Sequence, residues 1–193
     1  MQIILASASP RRREILENLG IEFEIVVSNA DESCDEDCAE KLVCTLSERK
    51  ARATEELLKE SGKYKDDMLI IGCDSVVVSD GKILGKPKDR QHALYMLNSL
   101  SGSAHHVISG LTLLYKGVAY TDFEKTEVLF DKLTESEICE YVKSGECDDK
   151  AGGYAIQGKA ARYIKGICGC YYNVVGLPVH LIFKLAKENG ISL

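Results

Sequence analysis

The sequence has no long hydrophobic segment and no excess of positive charge. Its apolar runs fall well short of the about 20 residues that a helix needs to cross a bilayer, so we expect no membrane span. Lys and Arg number 24 against 30 Asp and Glu, a net charge of −6, whereas a domain that grips nucleic acid usually carries a basic footprint. The first residues lack the basic segment that precedes the apolar part of a signal peptide. We therefore expect a cytoplasmic protein with neither a membrane nor a nucleic-acid partner.

Several motifs are also absent. The chain has eight cysteines but no CxxC pair, and its four histidines do not repeat at metal-ligand spacings, so we expect no structural zinc. Without a secretory signal, the thiols are expected to be reduced and to pack mostly as small core residues. No P-loop, GxGxxG turn or Ser-His-Asp order is present, which leaves Rossmann cofactors and triad hydrolases without support.

The remaining composition is that of an ordinary globular protein. With 193 residues, 45% hydrophobic and 28% charged, we expect one domain over residues 1–193, built either as a single body or as two fused lobes. The predicted strands cover residues 2–6, 21–27, 68–78, 82–85, 106–115 and 118–130. The predicted helices cover residues 9–19, 39–58, 89–100, 134–143 and 178–189. Irregular alternation with several hairpins favours a mixed α/β sheet over a purely parallel one.

Periodicity also predicts which helix faces are buried. In the first helix the core-facing residues are expected to be Ile15, Leu16 and Leu19, and in the second Leu42, Leu46, Ala53 and Leu57. Residues 151–176 are rich in glycine and are expected to form turns that let backbone approach a ligand.

Hydroxyls and arginines meet at the first strand-to-helix corner, Ala6-Ser7-Ala8-Ser9-Pro10-Arg11-Arg12-Arg13. A helix N-terminus presents unpaired N–H groups and a partial positive charge, which suits a phosphate. Arginines in the first turn are unfavourable for the helix itself, and functional sites break local rules in this way. The alternative is an ordinary Ser cap with Pro at the first helical position and solvated arginines.

A single acid, Asp74, interrupts the most apolar strand, Ile70-Ile71-Gly72-Cys73-Asp74-Ser75. Burying a carboxylate is costly unless it is paired, so we weigh a general base or a ligand for a divalent cation. The alternative is a carboxylate satisfied by backbone amides at a bulge.

Three further charged residues are weaker candidates taken singly. Lys86 lies between Gly85 and Pro87, where a fixed turn would aim its point charge at phosphate. Lys50 could equally belong to the polar face of a helix, and Glu32 to a solvated acidic loop.

Gln157 stands at the tip of the glycine-rich stretch, where its amide offers both a donor and an acceptor. The alternative there is a glycine-rich hairpin without a ligand.

Taken together and in order, seven segments resemble the Maf family of nucleoside triphosphate pyrophosphatases. They are LASASPRR (5–12), ERKA (48–51), GCDSVV (72–77), LGKP (84–87), LSG (100–102), DKAG with IQG (149–152 and 156–158) and YNVVGLP (172–178). The resemblance implies an enzyme that hydrolyses a nucleoside triphosphate to the monophosphate and pyrophosphate with a divalent cation, either Mg²⁺, Mn²⁺ or Co²⁺. It also implies a mixed sheet forming two lobes around a cleft, related to the inosine triphosphatase architecture, and a homodimer.

The resemblance assigns roles to the candidates one by one. Asp74 would be the proton acceptor that activates water, and Glu32 together with Asp74 would hold the metal. The groups around the triphosphate would be Ser7, Arg11, Arg12, Lys50 and Lys86. Fixed cations suit this chemistry, because attack on the α-phosphorus leaves negative charge on the departing pyrophosphate.

Within the family, the branch that cleaves dTTP and UTP resembles this chain at Arg11, Ser75 and Gln157. A glutamine amide can pair with the O4 carbonyl and N3–H of uracil or thymine, whereas the glutamate of the 7-methyl-GTP branch offers only acceptors. The sequence thus predicts a dTTP and UTP pyrophosphatase. The alternatives are a pyrophosphatase for 7-methyl-GTP or another modified nucleotide, and a septum or cell-division regulator that acts through protein contacts.

Overall fold

The computed structural model describes residues 1–193 and has an α/β fold, with a seven-stranded mixed sheet and flanking helices. The strands are β1 (Gln2–Leu5), β2 (Glu24–Ile25), β3 (Met68–Ser79), β4 (Lys82–Leu84), β5 (Ala104–Tyr115), β6 (Val118–Phe130) and β7 (Ile164–Cys168). The helices are α1 (Pro10–Asn18), α2 (Ala39–Glu60), α3 (Arg90–Leu100), α4 (Glu135–Lys143), α5 (Tyr171–Val175) and α6 (Val179–Glu188). No helix combines the length and the hydropathy needed to cross a membrane.

The strand order is β2-β1-β3-β5-β6-β7, with β4 paired to β3. Strand β1 runs parallel to both of its neighbours, and Leu5 lies opposite Ile71 of β3. The pairs β3–β4 and β6–β7 are antiparallel. The β3–β4 hairpin turns at Asp80 and Gly81, whose φ angles are 48° and 71°, as the favoured two-residue hairpin turn requires. The predicted mixed sheet is confirmed.

The chain divides into two compact units. Unit 1 consists of Met1–Asp74, Ser109–Glu124 and Gly176–Leu193, and unit 2 consists of Ser75–Ile108 and Lys125–Val175. Each unit has its own apolar core. In unit 1, Ile4 of β1 and Ile70 of β3 pack with Ala51 and Leu58 of α2. In unit 2, residues of α3 and α4 pack with Phe130 and with other apolar side chains of the unit.

Helix α2 buries a different face from the one its leucines predict. Leu46 is buried as expected, but Leu57 is exposed, and Leu42 and Ala53 are only half-buried. The buried stripe includes Ser47 instead, because the Ser47 hydroxyl shares a 2.9 Å hydrogen bond with the buried hydroxyl of Thr112. In α1, likewise, Ile15 and Leu16 are buried, whereas Leu19, which caps the helix at its C-terminus, is exposed. A pattern of apolar residues cannot predict that two hydroxyl groups are buried because they hydrogen-bond to each other.

Local structure differs from the expectation in two further places. The strand predicted for residues 21–27 is reduced to the two residues of β2, since only these pair with β1. The glycine-rich stretch, expected to form turns, also contains β7, α5 and two short 3₁₀ segments, Ala151–Gly153 and Lys159–Tyr163.

All eight cysteines are free thiols. Only Cys73 and Cys147 are buried, whereas Cys139 and Cys168 are exposed and the others are half-buried. The expectation that most would be core residues is therefore wrong. Burial raises the pKa of the Cys44 thiol to about 11, so this group stays protonated at neutral pH.

Candidate active site

Arg12 forms several hydrogen bonds at the connection between strand β1 and helix α1. Its Nη1 donates to the Ser7 hydroxyl at 3.0 Å and to the Cys73 carbonyl at 2.7 Å, and its Nε donates to the Gly176 carbonyl at 2.8 Å. Ser7 is buried and also accepts a hydrogen bond from the Ser9 amide at 3.3 Å. These three bonds fix the orientation of the guanidinium. Ser9 is the N-cap residue of α1 and Pro10 its first residue, but the Ser9 side chain makes no cap hydrogen bond.

Lys50 lies between the two acids that the sequence singled out. Its Nζ is 2.6 Å from Asp74 Oδ1 and 3.0 Å from Glu32 Oε1. The side chains of Lys50 and Asp74 are only 16% and 15% exposed, whereas that of Glu32 is 64% exposed. Burial alone lowers the pKa of Lys50, but the charge and hydrogen bond of Asp74, followed by those of Glu32, outweigh it and raise the pKa. Lys50 therefore remains an ammonium ion at neutral pH.

Asp74 and Lys50 pair with each other through their side chains. Asp74 is paired with a lysine 24 positions earlier in the chain, so it is not a lone carboxylate in an apolar strand. Lys50 points into the unit instead of belonging to the solvated face of α2. The arrangement brings one general-base candidate and one cation within hydrogen-bond distance.

Gly72 allows this approach. A Cβ at Gly72 would lie 2.2 Å from the Ser47 carbonyl oxygen and 3.0 Å from the Ala51 Cβ, so only glycine lets α2 pack this closely on β3. Lys50 stands next to Ala51 on α2, and Asp74 lies two residues beyond Gly72 on β3. The glycine thus sets the spacing between the two elements that carry the ion pair.

Arg49 is not among the site residues predicted from the sequence, but it holds one of them in place. Its Nη1 donates to the Ser33 carbonyl at 2.6 Å and is 3.5 Å from the Asp31 carbonyl. Asp31 and Ser33 are the neighbours of Glu32 in the chain, so these contacts of Arg49 stabilise the loop that contains Glu32. Its place beside Lys50 in the ERKA segment is the one signal that could have identified it.

In unit 2, Lys86 and Gln157 are exposed and Ser75 is half-buried. The segments of Lys86 and Gln157 are connected through Gly152, whose amide donates to the Gly85 carbonyl at 3.0 Å. Gly152 has a φ of 69°, and a Cβ there would meet Val77 at 2.8 Å. Glycine is thus required both for the backbone conformation and for the contact with β3.

A buried aromatic cluster holds the start of the Gln157 segment. Tyr154 Oη and His105 Nε2 share a 2.8 Å hydrogen bond, and both rings make edge contacts with Phe130. Burial, followed by the nearby His106, lowers the pKa of His105 to about 4, so the imidazole is neutral at neutral pH.

The acids suit a divalent cation that is shared with substrate. No group of three or more His, Cys, Asp or Glu side chains capable of holding a metal ion occurs in the structure. Mg²⁺, however, is commonly held by one or two carboxylates together with substrate phosphates and water. Asp74 and Glu32 supply two such carboxylates, but Lys50 Nζ already pairs with one oxygen of each, so a divalent cation would bind their other oxygens or displace the lysine.

Of the predicted site residues, the structure places Ser7, Arg11, Arg12, Glu32, Lys50 and Asp74 in unit 1. It places Ser75, Lys86 and Gln157 in unit 2. Within unit 1 it joins Ser7 to Arg12, and Glu32 and Asp74 to Lys50. Arg11 is half-buried at the start of α1.

Comparison with known proteins gives consistent results along the chain. A family model described as Maf-like protein matches residues 2–189. A protein of Clostridium acetobutylicum named dTTP/UTP pyrophosphatase is 47% identical over 199 aligned positions, which cover 100% of both chains. Proteins of the same name from Clostridium botulinum and a Thermoanaerobacter species are each 46% identical, with 99% and 97% of this chain covered and 98% and 96% of theirs.

Proposed function

The chain belongs to the Maf family, and from that membership we propose that it hydrolyses dTTP and UTP to the nucleoside monophosphate and pyrophosphate. Relatives 46–47% identical along the whole chain carry the name of this activity. The observation that carries the proposal on the structural side is the Lys50–Asp74 pair, a carboxylate and a cation at 2.6 Å in a largely buried position. A carboxylate can accept the proton of the attacking water, and a cation can stabilise negative charge that develops on the phosphates.

Asp74 is proposed to take the proton of the attacking water. The water oxygen bonds to the α-phosphorus, the bond from that phosphorus to the α,β-bridging oxygen breaks, and its electron pair leaves with pyrophosphate. Lys50 holds the carboxylate of Asp74 in one orientation through the 2.6 Å contact. A positioned general base of this kind typically contributes about 10²–10⁴-fold to the rate.

Lys50 and the other basic groups are proposed to bind the triphosphate together with Ser7. Arg12 and Ser7 are held in fixed positions by their mutual hydrogen bond at 3.0 Å, so they need little reorganisation as charge develops. Arg11 and the exposed Lys86 add positive charge. Asp74 and Glu32 would hold a divalent cation, which when bound supplies further positive charge to the leaving pyrophosphate.

A nucleotide panel tests the function as a whole. We expect pyrophosphate release in the presence of Mg²⁺ to be fastest with dTTP and UTP. Faster release from 7-methyl-GTP would show that the protein belongs to the other branch. Absence of release from every nucleotide would instead favour the regulatory alternative.

Removal of the divalent cation should be reversible. Two carboxylates and substrate phosphates bind Mg²⁺ weakly and leave it accessible to solvent. We therefore expect a chelator to abolish hydrolysis and fresh Mg²⁺ to restore it fully, with Tm unchanged throughout. Adding Mn²⁺ or Co²⁺ in place of Mg²⁺ identifies the preferred ion. Activity that stays lost after Mg²⁺ is added back would reveal a structural metal, whose removal unfolds the chain.

Gln157 is proposed to read the base, together with Arg11 and Ser75. Changing Gln157 to glutamate should lower kcat/KM for dTTP by about tenfold, because a good bidentate pair is worth about 1–3 kcal/mol and glutamate loses the donor. Steady-state kinetics with dTTP check this. Gln91→Glu is the matched control, since Gln91 is also exposed in unit 2 and the charge change is the same. Equal rates for the wild type and Gln157→Glu would exclude the assignment.

A further inference from the structure

Gln157 is an exposed residue between two buried positions of the chain. Ala155 and Ala160 are buried, whereas Gln157 itself faces solvent. An exposed side chain on a short glycine-containing segment can hold one orientation only if the backbone on both sides of it is fixed. The bonds that fix residues 155–159 therefore bear on what Gln157 can recognise.

Tyr141 of α4 holds the first end of this segment. The Ala155 amide donates to the Tyr141 hydroxyl at 3.1 Å, and the same hydroxyl donates to Glu146 Oε1 at 2.9 Å. Tyr141 is almost completely buried. Burial above all raises the pKa of this phenol, so it keeps the proton that it donates to Glu146.

Glu146 holds the second end. Its Oε2 accepts a hydrogen bond from the Lys159 amide at 3.0 Å. A Cβ at Gly158 would lie 2.1 Å from Glu146 Oε1, so the carboxylate occupies the space that any other residue at position 158 would need. A larger residue at position 158 would therefore push the Glu146 side chain away from its present position.

We propose that Tyr141 and Glu146 are positioning residues that clamp the recognition segment two residues before and two residues after Gln157. They form one hydrogen-bonded unit, from the Ala155 amide through the phenol and the carboxylate to the Lys159 amide. The clamp presents the Gln157 amide in the single orientation that a bidentate contact with uracil or thymine needs. This inference rests on the proposed role of Gln157 in reading the base.

The geometric demand of that contact explains why a clamp is needed. Two hydrogen bonds from one amide plane require both the position and the rotation of the side chain to be set, and a misplacement of about 1 Å can cost 10²-fold in rate. Removing the Tyr141 hydroxyl would leave the buried Ala155 amide without this acceptor and Glu146 without this donor. Such a loss disturbs the segment locally while the apolar ring can stay in place.

The test uses the full-length chain and three variants. Tyr141→Phe and Glu146→Ala should each raise KM for dTTP by about tenfold with kcat little changed, the loss expected for a misplaced binding group. Glu146→Gln should have a smaller effect, because its amide keeps one acceptor for Lys159. Hydrogen exchange at the amides of Ala155 and Lys159 should accelerate in Tyr141→Phe and Glu146→Ala.

The matched control is Tyr163→Phe. Tyr163 is also buried in unit 2. Its ring lies edge-on to that of Tyr141, with the ring centroids 6.2 Å apart, and phenylalanine keeps this contact, whereas the hydroxyl that is removed donates to the Glu137 carbonyl, at 3.4 Å, outside the 155–159 segment. We expect this variant to change neither KM nor exchange at Ala155 and Lys159.

The outcomes separate the clamp from the role of Gln157. Unchanged exchange at residues 155–159 in both Tyr141→Phe and Glu146→Ala overturns the clamp whatever the kinetics show. Faster exchange with an unchanged KM for dTTP also overturns it, because the segment would then be held for stability alone. If the proposed role of Gln157 in reading the base is wrong, the Gln157→Glu variant will cleave dTTP at the wild-type rate.

Discussion

Replacing Asp74 by asparagine should lower kcat for dTTP by about 10²–10⁴-fold, the contribution typical of a general base. Asparagine has nearly the same shape but cannot accept the proton of water. The fold should survive, because Lys50 keeps its 3.0 Å contact with Glu32 after the Asp74 charge is lost. Steady-state rates of pyrophosphate release, with Tm measured in parallel, check both parts of this expectation.

Asp122→Asn is the control for this variant. Asp122 also lies in unit 1 and faces a lysine, with Lys184 Nζ 3.5 Å from its Oδ2, but it is more exposed than Asp74. We expect this change to leave kcat at the wild-type value, since exposed ion pairs contribute little. An Asp74→Asn enzyme that retains more than about a tenth of the wild-type rate would rule out Asp74 as the base.

Replacing Gly72 by alanine should damage both stability and catalysis. The added Cβ would lie 2.2 Å from a backbone oxygen, that of Ser47, which cannot rotate away. Helix α2 must then move off β3, at a cost of about 3 kcal/mol, the upper end for overpacking. For a chain of this size that corresponds to a Tm lowered by about 6–12 °C. The same movement withdraws Lys50 from Asp74, so kcat should fall as well.

Thermal unfolding and dTTP hydrolysis measured on the same preparation check this prediction. Gly166→Ala is the control, because a Cβ at Gly166 in β7 would meet no atom within 4 Å. It should leave both Tm and kcat near the wild-type values. A Gly72→Ala protein as stable and active as the wild type would show that the spacing of α2 and β3 is not what places Lys50.

Elements with strong and long periodicity could be predicted closely from the sequence. Strand β6 has the predicted bounds, and β3 and α2 extend only one or two residues beyond theirs. Short elements could not be predicted so well. Strand β2 depends on pairing with β1 and is limited to two residues, and β7 lies in a stretch whose glycines hide its pattern.

The candidate residues themselves were recognisable, but most of their partners were not. Asp74 stands out as an acid in an apolar run, and Gln157 as an amide in a glycine-rich segment. Nothing local indicates that Lys50 reaches Asp74, or that Tyr141 and Glu146 hold the backbone on either side of Gln157.

The sequence by itself determined the class of fold, the family and the chemical types available for catalysis. Those features follow from local periodicity and from the order of short segments, and both can be recognised in the sequence alone. Only the tertiary structure decided which charges meet, because pairing between residues far apart in the chain depends on how closely a helix packs on a strand. At this site that distance is set by the missing side chain of Gly72, which brings the Lys50 ammonium to 2.6 Å from the Asp74 carboxylate.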